Sequence, residues 1–231
     1  MYAAGVLPYT VYKSKIYILL GKEGRGLSDF GGYTDDVSEK SSTCAAREFS
    51  EETLGLFSSD ESIRGRKQGV KHTTTIMDSI LSEYINICNN SNNSDNNNAT
   101  DSHHKKLIKL IKSRNNGYNM YIAPVPRFLL SNEFKYAYTD NENQEYHHRI
   151  LSTEKTDIWW VDIQQMIQVI ETFGCKEIDI RGVSKRLYIN FVKTIRDPQC
   201  LEFLKYLNSH HDSAEQLVEL EKQINEICKL F

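Results

Sequence analysis

Two apolar runs open the chain, AAGVLPYTVY at 3–12 and KIYILLGKE at 15–23, both rich in β-branched and aromatic residues and parted by a polar step. They predict two strands joined by a tight turn. The next segment, GRGLSDFGGYTDD, is studded with glycine and predicts loop. A helix is expected from Ser42 or Thr43, capped by a hydroxyl, with Ala45, Ala46 and Phe49 on its buried side and its end at Gly55. A basic stretch, IRGRKQGVKH, follows. TTTIMDSILSEYINICNN then repeats apolar residues at helical spacing, with Ile76, Ile80, Tyr84 and Ile87 or Cys88 on one side.

The pattern lapses over NNSNNSDNNNAT, which has too little apolar surface to offset the entropy of ordering it, so residues 89–102 read as a disordered insertion. HHKKLIKLIKSRNN predicts a short basic helix with Leu107, Ile108 and Ile111 inward and Lys105, Lys106, Lys109 and Lys112 outward. GYNMYIAPVPRF and TDIWWVDI predict strands, IQQMIQVIETFG a helix closed by Gly174, and SKRLYINFVKTI a further helix. The tail, 213–231, opens on a Ser213/Gln216 capping box and carries Leu217, Leu220, Ile224, Ile227 and Phe231 as an apolar stripe. That stripe suits packing on its own domain, or the pairing of two copies into a homodimer.

A length of 231 residues with 39% hydrophobic content fits one domain spanning 1–231. A net charge of −3 gives no global pull toward nucleic acid or anionic membrane, so partners have to be sought locally. The five cysteines (Cys44, Cys88, Cys175, Cys200, Cys228) form no CxxC pair and read as reduced thiols. Pro8, Lys13 and Lys15 interrupt the apolar N-terminus, and no apolar run approaches membrane-spanning length. The expectation is a soluble cytoplasmic protein without a membrane partner.

One feature departs from ordinary helix chemistry. In REFSEE, Glu48, Glu51 and Glu52 stand at i, i+3 and i+4, which places three like charges on one face where they repel. A cation belongs on that face. Hard divalent ions such as Mg²⁺ or Mn²⁺ take oxygen ligands and keep several waters, so a carboxylate cluster on a rigid helix suits them.

The surrounding residues resemble the Nudix box, G-x5-E-x7-R-E-U-x-E-E-x-G-U, in which U is aliphatic or aromatic. Glu39 is followed by seven residues and then Arg47-Glu48-Phe49-Ser50-Glu51-Glu52. Six residues rather than five part Gly32 from Glu39, and two rather than one part Glu52 from Gly55. The resemblance implies an α/β chain folded as a Nudix-type α/β/α sandwich with a mixed sheet, here with extra helices and the insertion. It also implies a metal-dependent pyrophosphohydrolase. Its substrate would be a nucleoside diphosphate linked to another moiety, such as a dinucleoside polyphosphate, a nucleotide sugar or a dinucleotide. Glu48 and Glu52 would ligate Mg²⁺ or Mn²⁺, with Glu51 as a further ligand or water-activating base and the Gly32 carbonyl as an additional ligand. Arg47 would orient the acidic face and Glu39 would steady Arg47. Some members draw a further carboxylate from an opposing loop, a place that Glu154 would fill.

Other readings stay open. The basic stretches at Arg64–Lys67 and 105–114 would suit removal of an RNA cap, or hydrolysis of a diphosphoinositol polyphosphate. A catalytically silent nucleotide-binding module would keep the fold without turnover. The paired histidines at 103–104 and 147–148 read as surface groups. Of Trp159 and Trp160, which alternate across a strand, one is expected in the core and the other near a ligand.

Overall fold

The computed structural model describes residues 2–91, 106–113, 117–143, 154–210 and 213–230. The first two strands, β1 (Ala3–Tyr12) and β2 (Lys15–Glu23), form the expected hairpin, pairing Tyr9–Tyr12 with Lys15–Ile18. Lys13 and Ser14 both adopt positive φ, the twist that a two-residue hairpin turn requires.

The glycine-rich segment is strand where loop was expected. β3 (Gly26–Ser28) pairs with β2, and β4 (Phe30–Tyr33) pairs with β1, setting Gly31 opposite Gly5. Those glycines mark close backbone approach rather than a turn. A Cβ on Gly31 would stand 2.3 Å from the Tyr118 hydroxyl and 2.6 Å from the Ala4 carbonyl oxygen.

β1 is the organising strand. β2 and β4 share one of its edges, while β6 (Tyr118–Pro124) runs parallel along the other over Ala3–Tyr9. β5 (Lys109–Lys112) extends the sheet from β6, and β7 (Asp157–Asp162) extends it from β2, both antiparallel. The result is a mixed seven-stranded sheet. Ala4 to Thr10 are buried without a break, so β1 is covered on both faces. The molecule is therefore a mixed α/β structure.

Helix α1 (Ser41–Glu52) packs on β1, β4 and on α2 (Lys67–Ser91). Its N-terminal hydroxyls do not cap it. Thr43 donates to Asp78, Ser42 lies 3.2 Å from Ser82, and Ser41 accepts from Tyr121, so all three tie the helix to its neighbours and Lys40 stands at the cap position. α2 starts inside the basic stretch, six residues before the expected Thr73, and carries the buried Ile76, Ile80 and Tyr84 as anticipated. Its end absorbs residues 89–91 of the expected insertion; residues 92–102 lie outside the described residues.

Of the basic helix expected over this stretch, Lys106 and Leu107 are helical among the described residues, and from Lys109 the chain runs instead as β5. Leu107, Ile108 and Ile111 are buried as anticipated, but the free edge of β6 recruits the segment as a strand. Tyr84 on α2 accepts from the Leu110 amide and fixes it there. Lys105 and the histidines at 103–104 and 147–148 are outside the described residues.

Beyond β6 lie α3 (Ser131–Asn143), which packs on β7, and α4 (Ile163–Glu171), which packs on β2 and β7 and is followed by Gly174 at φ +78. The expected helix over SKRLYINFVKTI is split. Its first part is β9 (Val183–Arg186), hairpinned to β8 (Glu177–Ile180) through Arg181 and Gly182 at positive φ; only α5 (Ile189–Ile195) is helical. The Leu187 amide binds Lys176 and the Tyr188 amide binds Leu27, which pins the break.

α6 (Pro198–Ser209) and α7 (Ala214–Ile227) follow. Leu217, Leu220, Ile224 and Ile227 are buried, α7 packs on β1, and Ser213 caps it without a side-chain hydrogen bond. The stripe thus packs on its own domain; Phe231 is outside the described residues. Among the described residues no helix is long and apolar enough to cross a membrane.

Candidate functional site

The loop from Thr34 to Lys40 and the first turns of α1 are joined by one cation. Arg47 donates its Nε to Glu39 Oε1 at 3.0 Å and Nη2 to Glu39 Oε2 at 3.2 Å, a two-point grip. Its Nη2 also reaches the Tyr33 carbonyl at 2.9 Å, while Nη1 reaches Glu48 at 2.8 Å and Glu51 at 3.4 Å. Glu39 thus steadies Arg47, and Arg47 holds the acidic face. Burial pushes the Glu39 carboxyl up, but its hydrogen bonds to Arg47 outweigh this and hold it below its ordinary value. The residue by which the Gly32–Glu39 spacing exceeds the box is taken up in a turn, where Asp36 accepts from the Ser38 and Glu39 amides. At the other end, Leu54 and Gly55 are both left-handed and take up the residue added after Glu52.

The three glutamates differ in setting. Glu52 is buried, and one oxygen accepts from the Gly31 amide at 2.8 Å. Glu48 lies directly over Gly32, where a Cβ would stand 2.6 Å from its carboxyl carbon, so glycine makes the approach possible. Glu51 is partly exposed and lies toward Arg47. Burial raises the Glu48 and Glu52 carboxyls above their ordinary value. Arg47 moderates the first shift and Lys155 the second.

Gly32, Glu48 and Glu52 line a cavity of about 440 Å³ together with Glu23, Asp29 and Glu154 from the strands and loop opposite. Glu39 and Glu51 are not in its wall. Five carboxylates face two cations there, Arg25 and Lys155. Glu154 is exposed and lies 3.6 Å from Arg25. Neither tryptophan lines this cavity, contrary to expectation. Trp160 donates to the Leu129 carbonyl and stacks on Phe128, and Trp159 lies beneath the Lys185 ammonium.

Sequence reasoning missed Lys155. Its side chain is 2% exposed, with Nζ donating to Ser28 Oγ at 2.7 Å and standing 3.6 Å from both Glu23 and Glu52. Glu23, on β2, and Asp29, between β3 and β4, were missed too, because neither belongs to a motif. Burial pushes Asp29 up to about 6, although the Tyr118 hydroxyl donates to it at 2.6 Å.

A raised carboxyl weakens the fold as pH rises. The unfolded chain gives up this proton near 3.8 and the folded chain near 6, so the penalty is absent below 3.8 and complete above 6. Asp29→Asn, whose amide oxygen still accepts from Tyr118, is expected to melt higher than wild type at pH 7.5 and equal to it near pH 3.5. The gap sets a ceiling of about 3 kcal/mol. Thermal melts at the two pH values check it.

Among the described residues no group of three or more His, Cys, Asp or Glu side chains is placed to hold a metal ion. The cavity instead offers an open set, two carboxylates over a glycine backbone with a formal excess of negative charge. That donor chemistry fits a hydrated Mg²⁺ or Mn²⁺, which keeps waters and bridges to phosphate oxygens.

No protein-family model matches the chain. Over 62 residues it is 42% identical to a protein of Acanthamoeba polyphaga mimivirus that is itself uncharacterized. That stretch is 24% of this chain and 20% of the viral protein, so the chain spans far less than two thirds of that relative.

Proposed function

We propose that the protein is a Nudix-type hydrolase that cleaves a phosphoanhydride bond in a nucleoside diphosphate linked to another moiety, with Mg²⁺ or Mn²⁺ at Glu48 and Glu52. One observation carries the reading: the Arg47 clasp holds Glu48, while Glu52 is fixed by the Gly31 amide, in one cavity with a formal excess of negative charge. The mixed sheet, whose central strand β1 is covered on both faces, and the place of α1 beside the β1–β4 glycines support the sandwich expected from the box.

A divalent ion bound there would polarise the diphosphate and lower the pKa of a bound water. The chain's own residues do the positioning. Arg47 and Glu39 hold the Glu48 carboxylate over Gly32, and the Gly31 amide holds that of Glu52. Glu51 stands outside the cavity wall, 3.4 Å from Arg47, so a part as water-activating base would require its side chain to turn from Arg47 toward the cavity. Tyr33, 71% exposed on the cavity rim, offers a flat face on which a base can stack.

The test is a panel of phosphoanhydrides (dinucleoside polyphosphates, nucleotide sugars, dinucleotides, capped RNA, diphosphoinositol polyphosphate) incubated with Mg²⁺ or Mn²⁺, the products separated by ion exchange. Metal-dependent release of a phosphomonoester supports the reading, and inertness toward every member sinks it.

A second reading, RNA-cap removal, draws on a specific observation. Arg25 and Tyr188, with the guanidinium 4.4 Å from the ring, are shared between the acidic cavity and an adjoining hollow of about 490 Å³ that adds Lys22, Lys185 and Arg186. A chain of phosphates leaving the acidic cavity would meet these cations. Lys109 and Lys112 instead line a different cleft with Lys193 and Arg196. Neutralising Lys109 and Lys112 to glutamine is therefore expected to change kcat/KM for the best small conjugate by less than about threefold. If Lys22→Gln with Lys185→Gln and Arg186→Gln abolishes an efficient, salt-sensitive cleavage of capped RNA and spares small conjugates, the cap reading replaces the first.

A further inference from the structure

Lys155 is a full charge sealed inside the acidic cavity, and the surrounding chain is shaped for it. Gly21 on β2 clears its stem: a Cβ there would come within 2.6 Å of Lys155 Cδ and 2.8 Å of Cγ. The ammonium stands equidistant, at 3.6 Å, from one oxygen of Glu23 and one of Glu52, is hydrogen-bonded to Ser28, and lies 5.9 Å from the Phe30 ring. An ammonium held between two buried carboxylates occupies the electrostatic place of a metal ion without its coordination chemistry.

We propose that Lys155 is a built-in counter-cation that competes with the divalent ion for Glu52, holding the carboxylates together in the metal-free protein and setting a threshold for metal binding. The inference rests on the reading of Glu48 and Glu52 as metal ligands. Two physical consequences follow. The ammonium repels an incoming dication at short range in a poorly screened site, so removing it tightens metal binding. It also offsets the mutual repulsion of Glu23 and Glu52, so removing it makes the metal-free fold depend more on added metal. If Lys155 instead oriented Glu52 as a ligand, its loss would weaken metal binding, the opposite sign.

The experiment titrates Mn²⁺ into metal-free protein by calorimetry, with free Mn²⁺ followed by electron paramagnetic resonance. Lys155→Met is expected to lower the Mn²⁺ dissociation constant by about tenfold or more. Its melting temperature should also rise further on Mn²⁺ saturation than that of wild type. Lys155→Arg, which keeps the charge, should stay near wild type. Should Lys155→Met fail to fold, Glu23→Gln supplies a second test. It leaves Glu52 as the one carboxylate held by Lys155, and Mn²⁺ binding is expected to weaken about threefold or more. Unchanged or weaker binding in Lys155→Met, or tighter binding in Glu23→Gln, overturns the proposal. The two levels fail differently. Wild-type Mn²⁺ binding that is absent, or indifferent to Glu48→Gln with Glu52→Gln, removes the metal reading and this inference with it. Binding that needs those glutamates and ignores Lys155 removes the inference alone.

Discussion

Replacing Glu48 and Glu52 together by glutamine is expected to lower kcat/KM about a thousandfold or more on the best phosphoanhydride, roughly 4 kcal/mol of transition-state stabilisation. Glu52 is fixed by the Gly31 amide and Glu48 by Arg47 over Gly32, so neither position can be supplied by a neighbouring side chain. Glutamine keeps the shape and the carbonyl that accepts from Gly31, but it removes the charge that would hold a divalent ion. The metal-free fold is expected to gain rather than lose. Both carboxyls are raised above 4.5 by burial, so the unfolded chain releases these protons first, and each carboxyl weakens the fold increasingly as pH climbs past 4.5. The double variant should therefore melt no lower than wild type at pH 7.5, and its advantage should fade toward pH 4. Steady-state kinetics alongside melts at both pH values check the pair of claims. Retained turnover in a folded double variant would end the proposed mechanism.

Gly55→Ala is expected to cost about 3 kcal/mol or more and to lower the melting temperature by about 10 °C. Two penalties add. Gly55 sits at φ +61, where an L residue is strained, and a Cβ would stand 2.3 Å from the backbone of Gly69 and Val70 in α2. Backbone cannot rotate aside as a side chain can. Gly174 is the control, since it has φ +78 but nothing within 4 Å of its added Cβ. Gly174→Ala should therefore show the conformational penalty alone, about 1 kcal/mol. Comparable losses in the two variants, read from denaturant melts, would show that the α1–α2 crossing gives way more easily than its geometry indicates. The crossing matters for the site because α1 carries Arg47, Glu48 and Glu52.

The sequence alone determined the features that a short window can carry. Strand composition and turn length fixed the β1–β2 hairpin to the residue, because enrichment in β-branched and aromatic residues and a two-residue polar step act locally. The i, i+4 spacing of Arg47 and Glu51 was enough to anticipate that pair, and the resemblance to the Nudix box anticipated the grip of Glu39 on Arg47. Neither was enough to say that Glu52 is sealed and Glu51 half open, which depends on what packs against α1. Where local preference was divided, tertiary partners decided. The open edge of β6 turned the Lys109 segment from helix to strand, and the close approach of β1 to β4 made Gly31 and Gly32 strand residues instead of loop. The hydroxyls at the start of α1 went to Asp78, Ser82 and Tyr121 because those partners lay within reach once α2 and β6 were in place. Glu23, Asp29 and Lys155 lie 18, 12 and 103 residues from α1 in the chain, and none of the three belongs to a motif that its own sequence window reveals. A charge is recognised as part of a site by what surrounds it, and for these three the surroundings exist only after the sheet has closed.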